Sequence, residues 1–240
     1  MKTIGLLGGM SWESTLQYYR ALNEGVKKQL GGLHSAQIIL HSVDFAPIEE
    51  LQHKGNWQEA GRILAQAARG VQAAGADFLL ICTNTMHKVA GEIERAIDIP
   101  LLHIAEATAD VLVEEKMKTV GLLGTAFTME EDFYRGRLQK RGLRVVVPEA
   151  AERKVVHDII FQELCQGTLK LSSGQAYLAI IEQLTAAGAE AVILGCTEIG
   201  LLIHQKDTPV KLFDTTAIHV EKAVTYALKE YLEFFSLPFI

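Results

Sequence analysis

The sequence predicts an α/β fold made of two similar domains, each built on a parallel sheet and related to the other by a pseudo-two-fold axis. Short apolar segments alternate with longer segments of helical periodicity along the 240 residues, which is the pattern of parallel sheets covered by helices. The order of these segments repeats after about 115 residues. The predicted domains are residues 1–116 and 117–240, with the last helix, about 216–231, able to pack onto the first domain.

The internal repeat aligns two strand ends without a gap. The sequence AAGAD at 73–77 leads through an apolar run into Cys82 and Thr83, and AAGAE at 186–190 leads in the same way into Cys196. In this alignment Cys196 falls opposite Thr83. Because successive residues of a strand point to opposite faces, Cys82 is predicted to face the core.

In the first half, glycine and proline mark the ends of the predicted elements. The strand 3–7 stops at a glycine turn, and the next helix begins near Trp12, where Ser14 and Gln17 have the spacing of a capping box. A long alanine-rich helix stops at Gly75. The other predicted strands of this half are 37–43, 78–82 and 100–104, and its other predicted helices follow residue 44, cover 57–74, start at residue 83 and cover 105–116.

The second half repeats this order, because the segment 119–125 matches the opening strand almost residue for residue. Its predicted strands are 119–125, 143–147, 191–195 and 209–214, and its predicted helices are 129–141, 153–165, 173–187 and 216–231. Parallel sheets bind ligands at the carboxyl ends of their strands. The two glycine turns and the segments 83–85 and 196–198 are therefore predicted to share one rim.

Composition excludes several classes of function. The 23 basic and 29 acidic residues give a net charge of -6, and no run of lysine or arginine indicates a nucleic-acid partner. The three cysteines form neither a disulfide framework nor a zinc motif, and the first glycine turn misses the dinucleotide-binding fingerprint. No apolar run reaches the roughly 20 residues of a membrane span. We therefore predict a cytoplasmic protein with reduced thiols, no metal and no nucleotide cofactor, whose partners are small molecules or a second copy of itself.

Cys196 and Thr83 are the residues predicted to carry chemistry. Across a pseudo-two-fold axis the two strand ends would face a ligand in the cleft from opposite sides, which suits racemisation, where one group removes a proton and another supplies it. A cysteine near a helix start has a lowered pKa, so Cys196 is able to form a thiolate at neutral pH, and the sequence leaves its ionisation state open. The alternative is a buried, inert cysteine, the interpretation favoured for Cys82 and Cys165.

Three motifs carry a family resemblance. The segments GGMSWES at 8–14, NTMH at 84–87 and GCTEI at 195–199 resemble the aspartate/glutamate racemase superfamily, and the likeness extends over essentially the whole chain. The resemblance implies a cofactor-independent amino-acid racemase with two cysteines on opposite faces of the substrate α-carbon. Thr83 stands where that family places the first cysteine, and Cys196 matches the second, which works on the L-face. An enzyme biased to L-aspartate and L-glutamate is thus implied, with Cys196 as the base and Thr83 as a weak proton donor, directly or through water.

The resemblance also implies which residues bind substrate. Hydroxyl and backbone N–H groups can hold an α-carboxylate without a cationic side chain. The residues that match the family's carboxylate and amine binders are Met10, Ser11, Asn84, Thr85, Thr125 and Thr197. Glu198 is either an acceptor for the substrate ammonium or a glutamate favoured by the helix start. Gln52 is expected to meet the substrate side chain, in a segment where aspartate racemases tend to carry basic residues.

Two other interpretations remain open at this point. Relatives with one cysteine resemble decarboxylases of substituted malonates and two-cysteine relatives include maleate isomerases, so the same fold could serve another reaction. A catalytically idle amino-acid-binding protein is the second. The apolar tail 231–240 is predicted either to close the core as a strand or turn or to form a patch for self-association, and the family likeness allows a homodimer.

Overall fold

The computed structural model describes residues 1–236, with side chains through residue 233. The described chain forms two compact units. Unit 1 comprises Met1–Cys82, Val89–His103 and the described part of His219–Ile240, and unit 2 comprises Thr83–Lys88 and Ile104–Ile218. This division differs from the predicted 1–116 and 117–240. The helix that begins at Ile104 packs on the second sheet, and the last helix packs mainly on the first.

The chain runs through alternating strands and helices, as predicted. The strands are β1 (Ile4–Gly8), β2 (Ile38–Ser42), β3 (Phe78–Ile81), β4 (Thr119–Gly124), β5 (Arg144–Val146), β6 (Ala191–Gly195) and β7 (Lys211–Asp214). The helices are α1 (Trp12–Leu30), α2 (Phe45–His53), α3 (Trp57–Ala73), α4 (Ala90–Glu94), α5 (Ile104–Glu114), α6 (Ala126–Glu130), α7 (Asp132–Lys140), α8 (Ala150–Gln162), α9 (Leu171–Ala186), α10 (Ile199–Leu202) and α11 (Thr215–Ser236). Short 3₁₀ helices cover Thr85–Val89, Leu164–Gln166 and Gln205–Asp207.

The sheet of unit 1 is parallel, has the strand order β2-β1-β3, and is covered on both faces. Ile4 and Leu6 of β1 pack in a buried cluster with apolar residues of α1 and α11. On the other face, a Cβ added to Gly5 would lie 2.6 Å from Val71 of α3, so this helix rests directly on the strand. Burial on both faces explains why the strand reads as a continuous apolar run.

The sheet of unit 2 is also parallel, with the strand order β5-β4-β6-β7. Leu122 of β4 and Ile193 of β6 pack with α5 and α7 on one face. Leu123, Val192 and Leu194 pack with α8 and α9 on the other. The alternation along β6 places residue 196 on the α8 and α9 side.

Two glycines allow the ends of β4 and β6 to approach each other. Gly124 and Gly195 are partners in the register of these strands. A Cβ on Gly195 would lie 2.8 Å from the carbonyl oxygen of Leu123, and a Cβ on Gly124 would lie 2.8 Å from the carbonyl oxygen of Gly195. Side chains do not tolerate such contacts with backbone, so glycine at both positions fixes where Cys196 leaves the sheet.

The two sheets confirm the internal repeat. Strands β2, β1 and β3 of unit 1 have the same order as β5, β4 and β6 of unit 2. The fourth position differs, because the predicted strand 100–104 forms only a single bridge between Leu79 and Leu101, whereas β7 is a full strand. Helix α5 already begins at Ile104 and leaves little extended chain there.

Two predicted helices differ in detail from those observed. Helix α1 begins at Trp12, but its cap is Ser11, whose side chain accepts a hydrogen bond of 3.4 Å from the backbone of Ser14, so the predicted capping box is wrong. The predicted helix 129–141 is two helices, α6 and α7. The two helices are separated at Glu131, whose extended backbone interrupts the helical hydrogen bonds.

Residues 231–236 belong to α11 and are therefore neither a strand nor a turn, and the rest of the predicted apolar tail lies outside the described residues. No helix in residues 1–236 is long and apolar enough to cross a membrane. Within the same residues, no group of three or more His, Cys, Asp and Glu side chains is arranged to hold a metal ion.

Candidate active site

Cys196 lies directly after β6, where the strand ends at Gly195 and the chain turns towards α10. Cys196 is 8 % exposed and belongs to the apolar cluster under α8 and α9. Its Sγ donates a hydrogen bond of 3.0 Å to Oε2 of Glu198. The Thr197 hydroxyl donates to the same oxygen at 2.6 Å. A buried carboxylate thus accepts from both residues that precede it.

The surroundings of Cys196 bear on its ionisation state, which the sequence left open. Burial raises the pKa of the Cys196 thiol well above its usual range, and the negative charge of Glu198 and the Cys165 sulfur raise it further. The helix that follows, α10, has only four residues and does not outweigh these effects. These effects favour the thiol form of Cys196 over the thiolate that the sequence allowed.

Glu198 and Cys165 have roles that the sequence alone did not indicate. Glu198 is 2 % exposed and is the residue that precedes the first turn of α10, so it is a buried carboxylate that also stands at a helix start. Its second oxygen, Oε1, lies 3.9 Å from Sγ of Cys165. Cys165 belongs to the 3₁₀ helix after α8 and not to the predicted helix 153–165. The carboxylate therefore lies between two thiols.

Asn84 is held by a neighbour that the sequence analysis missed. Its Nδ2 donates to Oγ1 of Thr215 at 3.0 Å, and the Thr215 hydroxyl donates in turn to the carbonyl oxygen of Leu194 at 2.9 Å. Because the Thr215 proton is used there, its oxygen must accept, which fixes the orientation of the Asn84 amide. Asn84 is buried, and within the described chain its Oδ1 has no hydrogen-bond partner. This oxygen can accept a hydrogen bond from a ligand.

A run of hydroxyl groups lies beside Asn84. The hydroxyls of Thr85 and Thr125 are 3.0 Å apart, and those of Thr125 and Thr128 are 3.2 Å apart. Thr125 caps α6 and accepts a hydrogen bond from the backbone of Thr128. All three residues are buried. Hydroxyls in such a chain can donate to a carboxylate without bringing a charged side chain into the site.

Thr83 starts the segment of unit 2 that also contains Asn84 and Thr85. Its side chain is 8 % exposed, as is that of Cys196. Among residues 1–236, no hydrogen bond to the Thr83 hydroxyl is present. Its carbonyl oxygen is bound by the ring of His87, a residue to which the sequence analysis gave no role.

The remaining candidate residues, Met10, Ser11 and Gln52, belong to unit 1. Met10 and Ser11 form the buried turn between β1 and α1, and Gln52 is a buried polar residue near the end of α2. The three positions are therefore not surface loops. The structure brings together in unit 2 the other candidates, Thr83, Asn84, Thr85, Thr125, Cys196, Thr197 and Glu198.

Cys82 faces the core, as the repeat predicted. It is fully buried in the cluster formed by β1, β3, α1 and α11. Burial raises the pKa of its thiol, which disfavours a thiolate there. Cys82 is an apolar packing residue, in contrast to Cys196 and Cys165, whose thiols lie beside the Glu198 carboxylate.

A family model described as Asp/Glu/Hydantoin racemase matches residues 7–223. Among characterised proteins, the broad specificity amino-acid racemase RacX of Bacillus subtilis is 22% identical over 227 residues. That match covers 92% of this chain and 96% of RacX.

Solved structures give closer matches. The crystal structure of a candidate Asp/Glu racemase from Yersinia pestis is 54% identical, with a TM-score of 0.87, and the match covers 95% of this chain and 100% of that chain. The structure of an aspartate racemase homologue from Pyrococcus horikoshii is 35% identical, with a TM-score of 0.82, and the match covers 95% of this chain and 99% of that chain.

Proposed function

Because the chain belongs to the Asp/Glu/hydantoin racemase family, we propose that it is a cofactor-independent amino-acid racemase that acts on aspartate and glutamate with a bias to the L-forms. Cys196 is the base on the L-face, and Thr83 serves the other face of the α-carbon. The observation that carries the proposal is the hydrogen bond of 3.0 Å between Sγ of Cys196 and the buried carboxylate of Glu198.

Glu198 supplies what a thiol with a raised pKa lacks. A thiol cannot remove a proton until it has lost its own, and burial opposes the formation of a thiolate at Cys196. In the proposed reaction, the thiol proton moves to Oε2 of Glu198, and the thiolate then takes the α-proton of the L-substrate. The negative charge passes from carboxylate to sulfur within one hydrogen-bonded pair, so no net charge is created in the buried site.

The carbanion requires stabilisation by hydrogen bonds, since this proposal uses no electron sink from a cofactor. The hydroxyls of Thr85 and Thr125 are donors for the substrate α-carboxylate, where charge accumulates when the α-proton leaves. The Oδ1 of Asn84 is an acceptor for the substrate ammonium. Thr197 donates its hydroxyl proton to Glu198, so in the proposed site its hydroxyl oxygen is an acceptor for the substrate ammonium. Met10, Ser11 and Gln52 remain candidate substrate contacts.

The proposed bias to L-substrates follows from the different basicity of the groups on the two faces, the Cys196 thiolate and the Thr83 hydroxyl. Thr83 can give a proton, directly or through a water that it holds, but a hydroxyl is a much poorer base than a thiolate. Proton removal from an L-substrate therefore proceeds through Cys196, whereas removal from a D-substrate would need Thr83 to act as the base. We expect α-proton exchange of L-substrates to be faster than formation of the D-product.

The proposal is tested by incubating the protein with L- and D-aspartate and L- and D-glutamate in heavy water. NMR follows loss of the α-proton, and chiral chromatography follows inversion. We expect exchange from the L-forms, slower inversion, and a loss of exchange of about a thousand-fold in Cys196→Ser. Cys82→Ala is the matched control, because it removes a thiol that lies in the core.

Four outcomes would contradict the proposal. Near-normal exchange in Cys196→Ser would remove Cys196 as the base. Equal exchange from both enantiomers would mean that Thr83, or a water it holds, is a competent base and that the L-bias is wrong. Binding without exchange would indicate an idle binding protein, and carbon dioxide release from a substituted malonate would indicate a decarboxylase.

A further inference from the structure

His87 is a buried histidine in the 3₁₀ helix Thr85–Val89, and its two ring nitrogens make different hydrogen bonds. Nδ1 lies 2.8 Å from the carbonyl oxygen of Thr83. Nε2 lies 3.2 Å from the backbone nitrogen of Ile104, the first residue of α5. The ring therefore bridges Thr83, two residues after the end of β3, and the start of a helix that follows later in the chain.

The two partners define the tautomer of His87. The Ile104 backbone N–H can only donate, so Nε2 must accept and carries no proton. The Thr83 carbonyl oxygen can only accept, so Nδ1 must carry the proton and donate it. The ring is thus neutral with its proton on Nδ1, because an imidazolium or the other tautomer would lose at least one of these bonds.

The two hydrogen bonds of the His87 ring serve different backbone groups, the N–H of Ile104 and the carbonyl oxygen of Thr83. The first N–H groups of a helix have no partner inside the helix, and Ile104 is buried, so Nε2 supplies an acceptor that water cannot. The bond to Thr83 acts on the reacting segment. Because the Thr83 hydroxyl makes no hydrogen bond among residues 1–236, its position depends on the backbone that carries it. That backbone is held by His87.

We propose that His87 is a positioning residue, which holds Thr83 at its place beside the substrate by donating from Nδ1 to the Thr83 carbonyl oxygen. The assignment rests on the proposed racemase function, since it concerns the face of the α-carbon that Thr83 serves. The bond joins residue 87 to residue 83 within one short segment of unit 2, so it does not depend on the second bond of the ring to Ile104. A proton donor displaced by about 1 Å can lose up to about a hundred-fold in rate.

Two conservative variants separate the two bonds of the ring. In His87→Asn the side-chain amide nitrogen takes the place of Nδ1 and keeps the bond to Thr83, but the bond to Ile104 is lost. In His87→Gln the amide oxygen takes the place of Nε2 and keeps the bond to Ile104, but the bond to Thr83 is lost. The readout is the rate of D-product formation divided by the rate of α-proton exchange from the same L-substrate in heavy water.

We expect His87→Gln to lower this ratio about ten-fold, because Thr83 moves while Cys196 keeps its place. We expect His87→Asn to keep the ratio of the unmodified protein. His219→Gln is the control, because it removes a buried histidine with two hydrogen bonds in unit 1 and reports general destabilisation. The ¹⁵N spectrum of the His87 ring should show a protonated Nδ1 and an unprotonated Nε2.

Equal loss of both rates in the two variants would overturn the assignment, because a structural role alone would lower exchange and inversion together. A ratio lowered in His87→Asn as much as in His87→Gln would overturn it too, as would a proton on Nε2. Absence of exchange from every substrate in the unmodified protein would refute the proposed function and this assignment with it. Failure of only the ratio test would leave the racemase proposal intact.

Discussion

The chain after β3 and the chain after β6 are related by the internal repeat, yet they hold their functional groups in different ways. The repeat aligns Thr83 with Cys196 and Thr85 with Glu198. After β6, the thiol donates to a carboxylate two residues later. After β3, the residue equivalent to that carboxylate is Thr85, whose hydroxyl pairs with the hydroxyl of Thr125.

This difference extends beyond the two reacting residues. A cysteine at position 83 would find no carboxylate at the position that Glu198 occupies relative to Cys196, because Thr85 stands there. The end of β6 therefore holds a base together with the group that receives its proton, whereas the end of β3 holds donors and acceptors without a charge. The asymmetry belongs to a set of neighbouring residues, and a single substitution should not reverse it.

Glu198→Gln gives the largest effect expected from this comparison. The amide keeps the size of the side chain but cannot receive the thiol proton, so we expect α-proton exchange from L-aspartate or L-glutamate to fall about a hundred-fold. At the same time the pKa of Cys196 should fall, because the negative charge that raises it is gone. Alkylation of Cys196 by iodoacetamide across a pH series reports that pKa.

The two readouts move in opposite senses, which makes the test sharp. A thiolate that forms more easily while exchange becomes slower can only mean that the carboxylate takes part in the proton transfer. Faster exchange in Glu198→Gln would show instead that the carboxylate merely suppresses the thiolate. Thr197→Val, which removes one donor to the same oxygen and keeps the carboxylate, is the milder companion variant.

Thr83→Cys tests whether one substitution can make the two strand ends alike. We expect exchange from D-substrates to rise about ten-fold, because a thiol replaces a hydroxyl on that face. The rate should stay below that from L-substrates, since no carboxylate accompanies the new thiol. Thr83→Ser keeps the hydroxyl and is the control. Equal exchange from both enantiomers in Thr83→Cys would mean that Glu198 contributes nothing.

Much of this comparison follows from the sequence, because the strands are buried on both faces. Continuous apolar runs that end at glycine located β1, β4 and β6 to within a residue. The gapless repeat paired Thr83 with Cys196 and assigned Cys82 to the core. Such predictions depend on local pattern and on strand alternation, which the order of residues specifies directly.

The properties that could not be predicted depend on residues far apart in the chain. The sequence indicated a lowered pKa for Cys196, but Glu198 turns back on the thiol and Cys165 arrives from a segment about 30 residues earlier. Asn84 and Thr215 are 131 positions apart. Contacts of this kind form only when the sheets and helices pack together, so a short sequence motif does not predict them.

The smallest effect on catalysis is expected from substitution of His219, a buried histidine in unit 1. This substitution should change the stability of the protein and leave the reaction unchanged. His219 accepts from the Tyr18 hydroxyl and donates to the carbonyl oxygen of Leu102, both at 2.8 Å. Burial lowers the pKa of His219 from 6.5 to about 4. Below pH 6.5, His219 is therefore protonated in the unfolded chain, whereas in the folded protein it becomes protonated only near pH 4.

The sign of the pH dependence follows. Above pH 6.5, His219 is neutral in both states and does not lower the free energy of unfolding. As the pH drops towards 4, protonation of His219 in the unfolded chain should lower that free energy by up to about 3 kcal/mol. Urea unfolding at several pH values measures this slope, and His219→Gln should flatten it. The ratio of inversion to exchange should not change in that variant. An unchanged slope would mean that another group dominates the acid sensitivity.

The division of the chain between the two units also has a consequence for biosynthesis. Unit 1 begins at β1, but its core includes Val220, Ala223, Val224 and Leu228 of α11. Unit 2 is supplied entirely by residues up to Ile218. During translation, unit 2 can therefore complete its core before unit 1 does. The apolar face of unit 1 that α11 covers stays exposed until α11 has been synthesised. A nascent chain arrested shortly before residue 219 should need a chaperone for the part that was synthesised earliest.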